Sequence, residues 1–486
     1  MRTRHLFLSV CLTSIFSPAY AQQEAALSVT ATPTNELVIA IQHYFHERYG
    51  CSYPMTYEID FPSGSSGLKV VKKNQTAGSW VQITEKTSAD LFNAIEAVRF
   101  DYRNNRAYVS AAFSGMSDSL FLKIIDGRGN TVLPVYRGVS KYYDNRRGVV
   151  TVSFDDWANW NASSISTLLY MFRSHGLYTT GGIITKRCSS STWSQIQKEL
   201  DSGYVEAASH SRTHPKIPYS DPVGEIEGSS QDILDSLKLP PLFSLNGRGY
   251  VYTWISPYGG YDSITDSLVG VSGYLIPRIY VYGDSTLSAW DAPRKHFKRC
   301  YPTVELGAPS WGGGDTVLTS LNELFNTVVA KRGVYHLMWH PRTAASDIRR
   351  TYLISHLDYI SGHNDIWYVN VGHLYLYHLL QMTSSSKATS ATAAGGVPNN
   401  FELLQNYPNP FNPSTKIGYA LKATGKVSVR VYDVLGREVA RLVDGVQSAG
   451  QHSVTFDANN LPSGAYIYSL TTSDGVKITK KMLMIK

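Results

Sequence analysis

Val149-Val150-Thr151-Val152-Ser153-Phe154-Asp155-Asp156-Trp157 is the stretch on which the fold of this chain turns. Its first six residues read as an apolar strand, and two acids close it. Side chains alternate along an extended segment, so adjacent carboxylates point in different directions. One can hold a metal while its neighbour stays a free base. Six more apolar strand candidates follow, at 181–185, 204–209, 250–255, 274–282, 333–339 and 366–370. Helix-like stretches lie between most of them, at 163–174, 193–202, 225–237, 316–331 and 347–360. Repeated strand–helix units predict a parallel sheet. About seven of them predict a deformed (β/α)7-8 barrel over residues 146–382, with its chemistry at the C-terminal ends of the strands.

Two other strand ends carry residues that do chemistry. Ser209-His210-Ser211-Arg212-Thr213-His214-Pro215 closes strand 204–209, and His340-Pro341 closes strand 333–339. Two imidazoles four apart can share one metal, on a helical turn or in a tight loop. Fourteen histidines in 486 residues give about 0.4 such pairs by chance, so spacing alone decides nothing. The chain has two, His210/His214 and His336/His340. Context favours the first, because the Asp-Asp, the His pair and His340 each end a different strand of one barrel. An Asp-His-His set with open positions suits a catalytic divalent metal such as zinc, cobalt, nickel or manganese. Plainer roles exist for each residue. Asp155 or Asp156 would also serve as a helix cap, and His336, on an apolar strand, reads as a core histidine. His175, His356, His363, His373 and His378 show no coherent spacing. Trp157, Trp290, Trp311 and Trp339 would line a sugar groove or pack in the core.

The run V-S-F-D-D-W resembles the first motif of the polysaccharide deacetylases, carbohydrate esterase family 4, and S-H-S-R-T-H-P resembles their second. Ser256-Pro257-Tyr258-Gly259 is similar to part of the third, and Met338-Trp339-His340 to the fifth. The resemblance spans residues 146–382, about half the chain. It implies Asp156, His210 and His214 as metal ligands, most simply to zinc. It also implies Asp155 as general base, His340 as general acid, and the backbone N–H of Tyr258, beside Pro257, as an oxyanion donor. Two departures stand out. The third motif of the family usually carries an Arg two residues before the Pro, and here Ile255 stands there. The fourth motif is not recoverable, although Trp290-Asp291 reverses its Asp-Trp. Arg294 or Arg278, from another strand, is a candidate for the missing guanidinium, with Trp290 as further support.

The flanks read differently. Residues 1–21 form a secretory signal: Arg2 and Arg4 begin it, residues 6–16 are a short apolar run, and Ala19-Tyr20-Ala21 is a cleavage site. No apolar run is long enough for a transmembrane segment. Residues 22–145 alternate in the strand manner with Gly/Ser-rich turns, which predicts a β-rich domain, a sandwich. Residues 383–400 are a Ser/Thr/Ala/Gly-rich linker. Residues 401–486 predict an Ig-like β-sandwich. Its opening Leu404-Gln405-Asn406-Tyr407-Pro408-Asn409-Pro410-Phe411-Asn412-Pro413 and basic end Lys480-Lys481-Met482-Leu483-Met484-Ile485-Lys486 resemble a type IX secretion sorting domain. That resemblance implies export through the periplasm, contact with the outer-membrane secretion machinery, and a secreted or cell-surface destination.

Composition bounds the rest. Hydrophobic residues make up 43% and charged residues 17%, enough apolar surface for several cores. The formal charge of +7 has no Lys/Arg run behind it, which argues against nucleic acid. Of the four cysteines, Cys11 leaves with the signal, so Cys51, Cys188 and Cys300 allow one internal disulfide at most, with Cys188 and Cys300 the expected pair. The function expected is a secreted, metal-dependent deacetylase of an acetylated polysaccharide or oligosaccharide. The alternatives are an acetyl-xylan or other carboxylic esterase on the same site, or a catalytically degenerate barrel that binds glycans.

Overall fold

The structure, a computed structural model, describes residues 27–279 apart from 76–77, 92 and 116, then 303–305, 315–339, 351–382 and 384–385, and 401–484 apart from 405, 407–410 and 412. The chain divides into two compact units, 1–389 and 390–486.

The first unit is built on an eight-stranded parallel sheet. Its strands are β1 (Gly148–Trp157), β2 (Thr179–Ile183), β3 (Val205–Ser209), β4 (Thr253–Ile255), β5 (Ile276–Arg278), β6 (Thr303–Glu305), β7 (Val334–Trp339) and β8 (Ile366–Tyr368). Their order is β5-β4-β3-β2-β1-β7-β6, with β8 beside the lower half of β1. The sheet curls as a half-barrel. Its helices are α1 (Ala162–Ser174), α2 (Ser190–Leu200), α3 (Pro222–Ser236), α4 (Ser263–Val271), α5 (Asp315–Ala330), α6 (Thr351–Ile360) and α7 (Val371–Met382). Local chemistry starts several of them. The side chains of Ser189, Asp221 and Asp262 accept from Thr192 N, Gly224 N and Thr265 N, and Pro222 opens α3. All seven strand candidates are strands. Strand β6 and helices α4 and α7 lie outside the stretches singled out above.

Glycines set how closely β1 and β2 approach. A Cβ on Gly181 would lie 2.6 Å from the Phe154 ring and 2.7 Å from Trp157. On Gly182 it would lie 3.0 Å from Ile255 Cδ1 and 3.2 Å from His210 Cβ. The bare backbone at these positions lets Phe154 and Trp157 pack on one side of β2 and lets the site residues close up on the other.

Residues before 146 form two antiparallel sheets. One orders 27–31, 37–41, 119–125, 69–73 and 81–82, with 384–385 added in parallel at its edge. The other orders 97–101, 106–111, 55–60 and 135–139. One contiguous apolar core runs from these sheets into the half-barrel. Hydrogen bonds across the junction include Tyr252 Oη to Tyr49 O (2.6 Å), Trp367 Nε1 to Tyr53 Oη (3.1 Å) and Tyr142 Oη to Arg332 O (2.6 Å). Tyr252 and Arg332 come just before β4 and β7, so this support is applied at the N-terminal ends of the strands.

The second unit holds a three-stranded sheet (402–403, 414–421, 450–457) and a four-stranded sheet (438–447, 425–432, 464–472, 477–484). Both share one core that includes Phe411, Tyr419, Val429, Phe456, Tyr468 and Met482.

Among the described residues no helix is long and apolar enough to cross a membrane. Cys51 and Cys188 carry free thiols, and Cys300, the expected partner of Cys188, lies outside the described residues.

Candidate metal centre

Asp155 and Asp156 stand at the top of β1, and both are buried. Asp155 follows the alternation of Thr151 and Ser153 toward the interior of the curl. Asp156 breaks it: its φ is +64°, in the left-handed region, and the pairing of β1 with β2 shifts between Phe154 and Trp157. That kink brings the Asp156 carboxylate to the two histidines that follow β3. Asp156 Oδ1 lies 3.5 Å from His210 Nε2 and 3.3 Å from His214 Nε2. Ligand atoms of all three residues fall within 4.8 Å of one another. Neither acid caps α1, which begins after Asn161.

These three side chains fit a cation. Two ligand atoms at about 2.0–2.1 Å from a tetrahedral metal are roughly 3.3 Å apart, the separation found here and longer than a good hydrogen bond. His210 Nδ1 is 2.8 Å from Ile255 O. A carbonyl only accepts, so Nδ1 carries the proton and Nε2 presents its lone pair to the site. The donor set of two imidazoles and a carboxylate is that of zinc, cobalt, nickel or manganese.

The loop Ser211–His214 is held by groups that the sequence did not single out. Glu225 on α3 accepts from Arg212 N (2.8 Å), Thr213 N (2.9 Å) and Thr213 Oγ1 (2.5 Å). Asp232, about two turns further along the same face of α3, takes Arg212 in a fork at 2.8 and 2.7 Å and Thr185 Oγ1 at 2.6 Å. Burial opposes ionisation of Asp232, but the bonds from Arg212 and Thr185 outweigh it and draw its pKa down to about 2. Ser211 Oγ accepts from His214 N at 2.9 Å. Ser211 and His214 both have φ of +65°, so the backbone is held in a sparsely populated region by this network.

Asp155 meets a different partner. Arg278 on β5 is fully buried and forms an ion pair with Asp155 Oδ1, while its Nη1 sits 3.0 Å from Met338 Sδ. Arg278 lies directly across from Ile255 in the β4–β5 register. The guanidinium absent at 255 therefore enters one strand over. Arg294 and Trp290, the other candidates for that support, lie outside the described residues, as do His340 and Trp311.

Pro257 is buried in the turn after β4, and Tyr258 in the same turn has φ of +55°. The Tyr258 ring is 62% exposed, with its centroid 4.5 Å from that of His214. Its backbone N–H donates no hydrogen bond among the described residues.

His336 is a core histidine. Its Nε2 is 3.0 Å from Ser153 Oγ, and burial, then the charge of Arg278, pushes its pKa down to about 3. Trp157 is fully buried against Phe154 and belongs to the core rather than to a groove. Among the described residues the exposed tryptophan is Trp160, in the loop that links β1 to α1.

Residues 405–486 match the family model described as the secretion system C-terminal sorting domain. The second unit is therefore a sorting tail, and the chain is addressed to secretion or the cell surface. No curated protein matches the sequence. Three solved structures similar to part of the chain illustrate the level of likeness. The Xyl-CE4 domain of a multidomain xylanase from the hindgut metagenome of Trinervitermes trinervoides is 16% identical over 47% of this chain and 89% of that one, with a TM-score of 0.29. A family 4 acetyl xylan esterase from Clostridium thermocellum, in complex with a cobalt ion, is 15% identical over 47% and 90%, at 0.29. A probable polysaccharide deacetylase from Pseudomonas aeruginosa is 14% identical over 49% and 92%, at 0.36. Likeness of this depth decides nothing about activity, and the residues of the site have to carry it.

Proposed function

We propose that residues 146–382 are a metal-dependent deacetylase of the carbohydrate esterase 4 type, acting on N- or O-acetyl groups of a glycan outside the cell. The observation that carries the reading is the pairing of two adjacent acids with different partners: Asp156 with His210 and His214, Asp155 with Arg278. A divalent ion held by Asp156, His210 and His214, most simply zinc, would supply polarisation of an acyl carbonyl and a lowered pKa for water.

The other roles belong to the chain. Asp155, fixed in place by Arg278, takes the proton of the attacking water. The N–H of Tyr258, at the rim of the centre, donates to the developing oxyanion. His340 protonates the leaving amine or alkoxide. Amide and ester cleavage need the same three acts, so both polysaccharide N-deacetylation and acetyl-xylan ester hydrolysis fall within this chemistry. The buried Asp155–Arg278 pair favours catalysis over a degenerate, glycan-binding barrel, because it supplies the support that Ile255 lacks.

The test is acetate release from chitooligosaccharides, peptidoglycan and acetylated xylan by the mature chain, with zinc or cobalt and after chelation. Metal-dependent release lost in Asp155→Asn, and bound metal lost in His210→Ala and His214→Ala, are the expected results. Acetate release by Asp155→Asn at the wild-type rate would refute the assignment of the base.

A further inference from the structure

Trp160 is 56% exposed, the only tryptophan so exposed among the described residues. A bare indole in water is unfavourable, yet the loop that presents it is tightly fixed. Asn161 Nδ2 donates to Asp156 O at 2.6 Å, and Asn161 Oδ1 accepts from Ala158 N at 3.0 Å. Asn159 N donates to Arg187 O at 3.0 Å. Asn159 Oδ1 accepts from Ser189 N and Thr192 Oγ1, both at 2.7 Å. The residues on both sides of Trp160 are thus locked to the metal-ligand backbone and to the start of α2, and the indole between them is turned to solvent. Tyr258, also exposed, presents a second ring on another strand end, with Lys216 Nζ 5.0 Å from its centroid.

We propose that Trp160 is a stacking platform for a pyranose unit of the glycan whose acetyl group sits at the metal centre, so that the site engages an oligosaccharide rather than a single sugar. The inference rests on the deacetylase reading and adds the residue that selects for chain length. The flat apolar face of an indole matches the C–H face of a pyranose. A loop already held in place loses little conformational freedom on binding, so more of the stacking energy appears as affinity. Trp160 is a specificity-determining residue here, and the acid, base and metal ligands lie elsewhere.

The experiment compares kcat/KM for an acetylated hexasaccharide with kcat/KM for a small aryl acetate, in the metal-loaded mature chain. In W160A the ratio of the two should fall about tenfold, mainly through KM, the size of one lost ring contact. W160F should hold the ratio within about threefold, since a ring remains. If W160A does not fold, W160Q is read in the same way. An unchanged ratio, whether both rates stand or both fall together, overturns the proposal. Should the wild type release no acetate from any substrate, the deacetylase reading fails, and calorimetry with the hexasaccharide decides on Trp160. Binding weakened by W160A would then uphold it, and binding that is absent or indifferent to W160A would end it.

Discussion

Replacing Arg278 with Met tests whether the guanidinium from β5 holds the base in place. Arg278 is 0% exposed and Asp155 5% exposed, so the pair is out of water. Removing one partner strands the other charge, and such losses cost about 3–5 kcal/mol. Asp155→Asn strands Arg278 in the same way. The double variant, with neither charge, should recover much of the loss, leaving a coupling of about 2–3 kcal/mol in the cycle. Arg278→Lys keeps the charge but loses the planar fork, and should fall between wild type and Arg278→Met. Denaturant unfolding of the mature chain gives the stabilities, and acetate release gives the chemistry. Met at 278 should lower kcat by roughly 100-fold or more, the lower range for a lost general base. Metal content should stay near one equivalent, because Asp156, His210 and His214 are brought together by contacts among themselves. If Arg278→Met lies within about 1 kcal/mol of wild type and the cycle shows no coupling, the pair supports nothing and Ile255 is an unrepaired loss.

Two further predictions concern pH. Glu206 lies buried on β3, where it accepts from Thr180 Oγ1, Thr253 Oγ1 and Gly372 N; burial raises its pKa to about 7 despite those bonds. The folded chain then holds a proton that the unfolded chain releases, so stability should fall as pH rises from about 4.5 to 7, by up to about 3 kcal/mol. Glu206→Gln should flatten that slope in thermal scans, and an unchanged slope would refute the assignment. Asp232 works in the opposite sense. Its pKa of about 2 means that its contribution is present above the unfolded value near 4 and is lost as pH falls toward 2, about 2 kcal/mol in all. Asp232→Asn should remove that part of the acid transition and loosen the His214 loop, seen as weaker zinc binding; retention of both would refute its role.

The centre was legible in the sequence because strand ends are. An apolar run followed by Asp-Asp, and another followed by His-x-x-x-His, place their residues at one end of a parallel sheet whatever the details of the curl. The groups that hold those residues were legible only in part. Arg278 is one of two arginines that the sequence offers for the missing guanidinium, but its partner is more than a hundred residues away, and only the ion pair with Asp155 singles it out. Glu225 and Asp232 sit in a stretch that reads only as helix-like, yet Glu225 holds the backbone of the 211–214 loop and Asp232 holds its Arg212 side chain. Trp157 has two readings in the sequence, sugar groove or core; it packs in the core, and Trp160, three residues on, is exposed. Strand β6, Thr303-Val304-Glu305, has a single apolar residue and so leaves no pattern.

The division of labour between Asp155 and Asp156 depends on a departure from strand geometry. On a regular strand, residues 151, 153 and 155 share one face, and Asp156 would share the other with Phe154, whose ring packs on Trp157 at 5.2 Å. An unkinked β1 would therefore send the Asp156 carboxylate into an apolar layer, away from His210 and His214. The positive φ at Asp156 turns it back to them while Asp155 keeps its place beside Arg278. A non-glycine residue in that conformation costs of order 1–3 kcal/mol. The hydrogen bond from Asn161 to Asp156 O and the room left by Gly181 and Gly182 offset that cost. On the proposed reading, two neighbouring carboxylates would serve as a metal ligand and a base because one residue of strand is bent, and the bent residue is held by the same loop that presents Trp160.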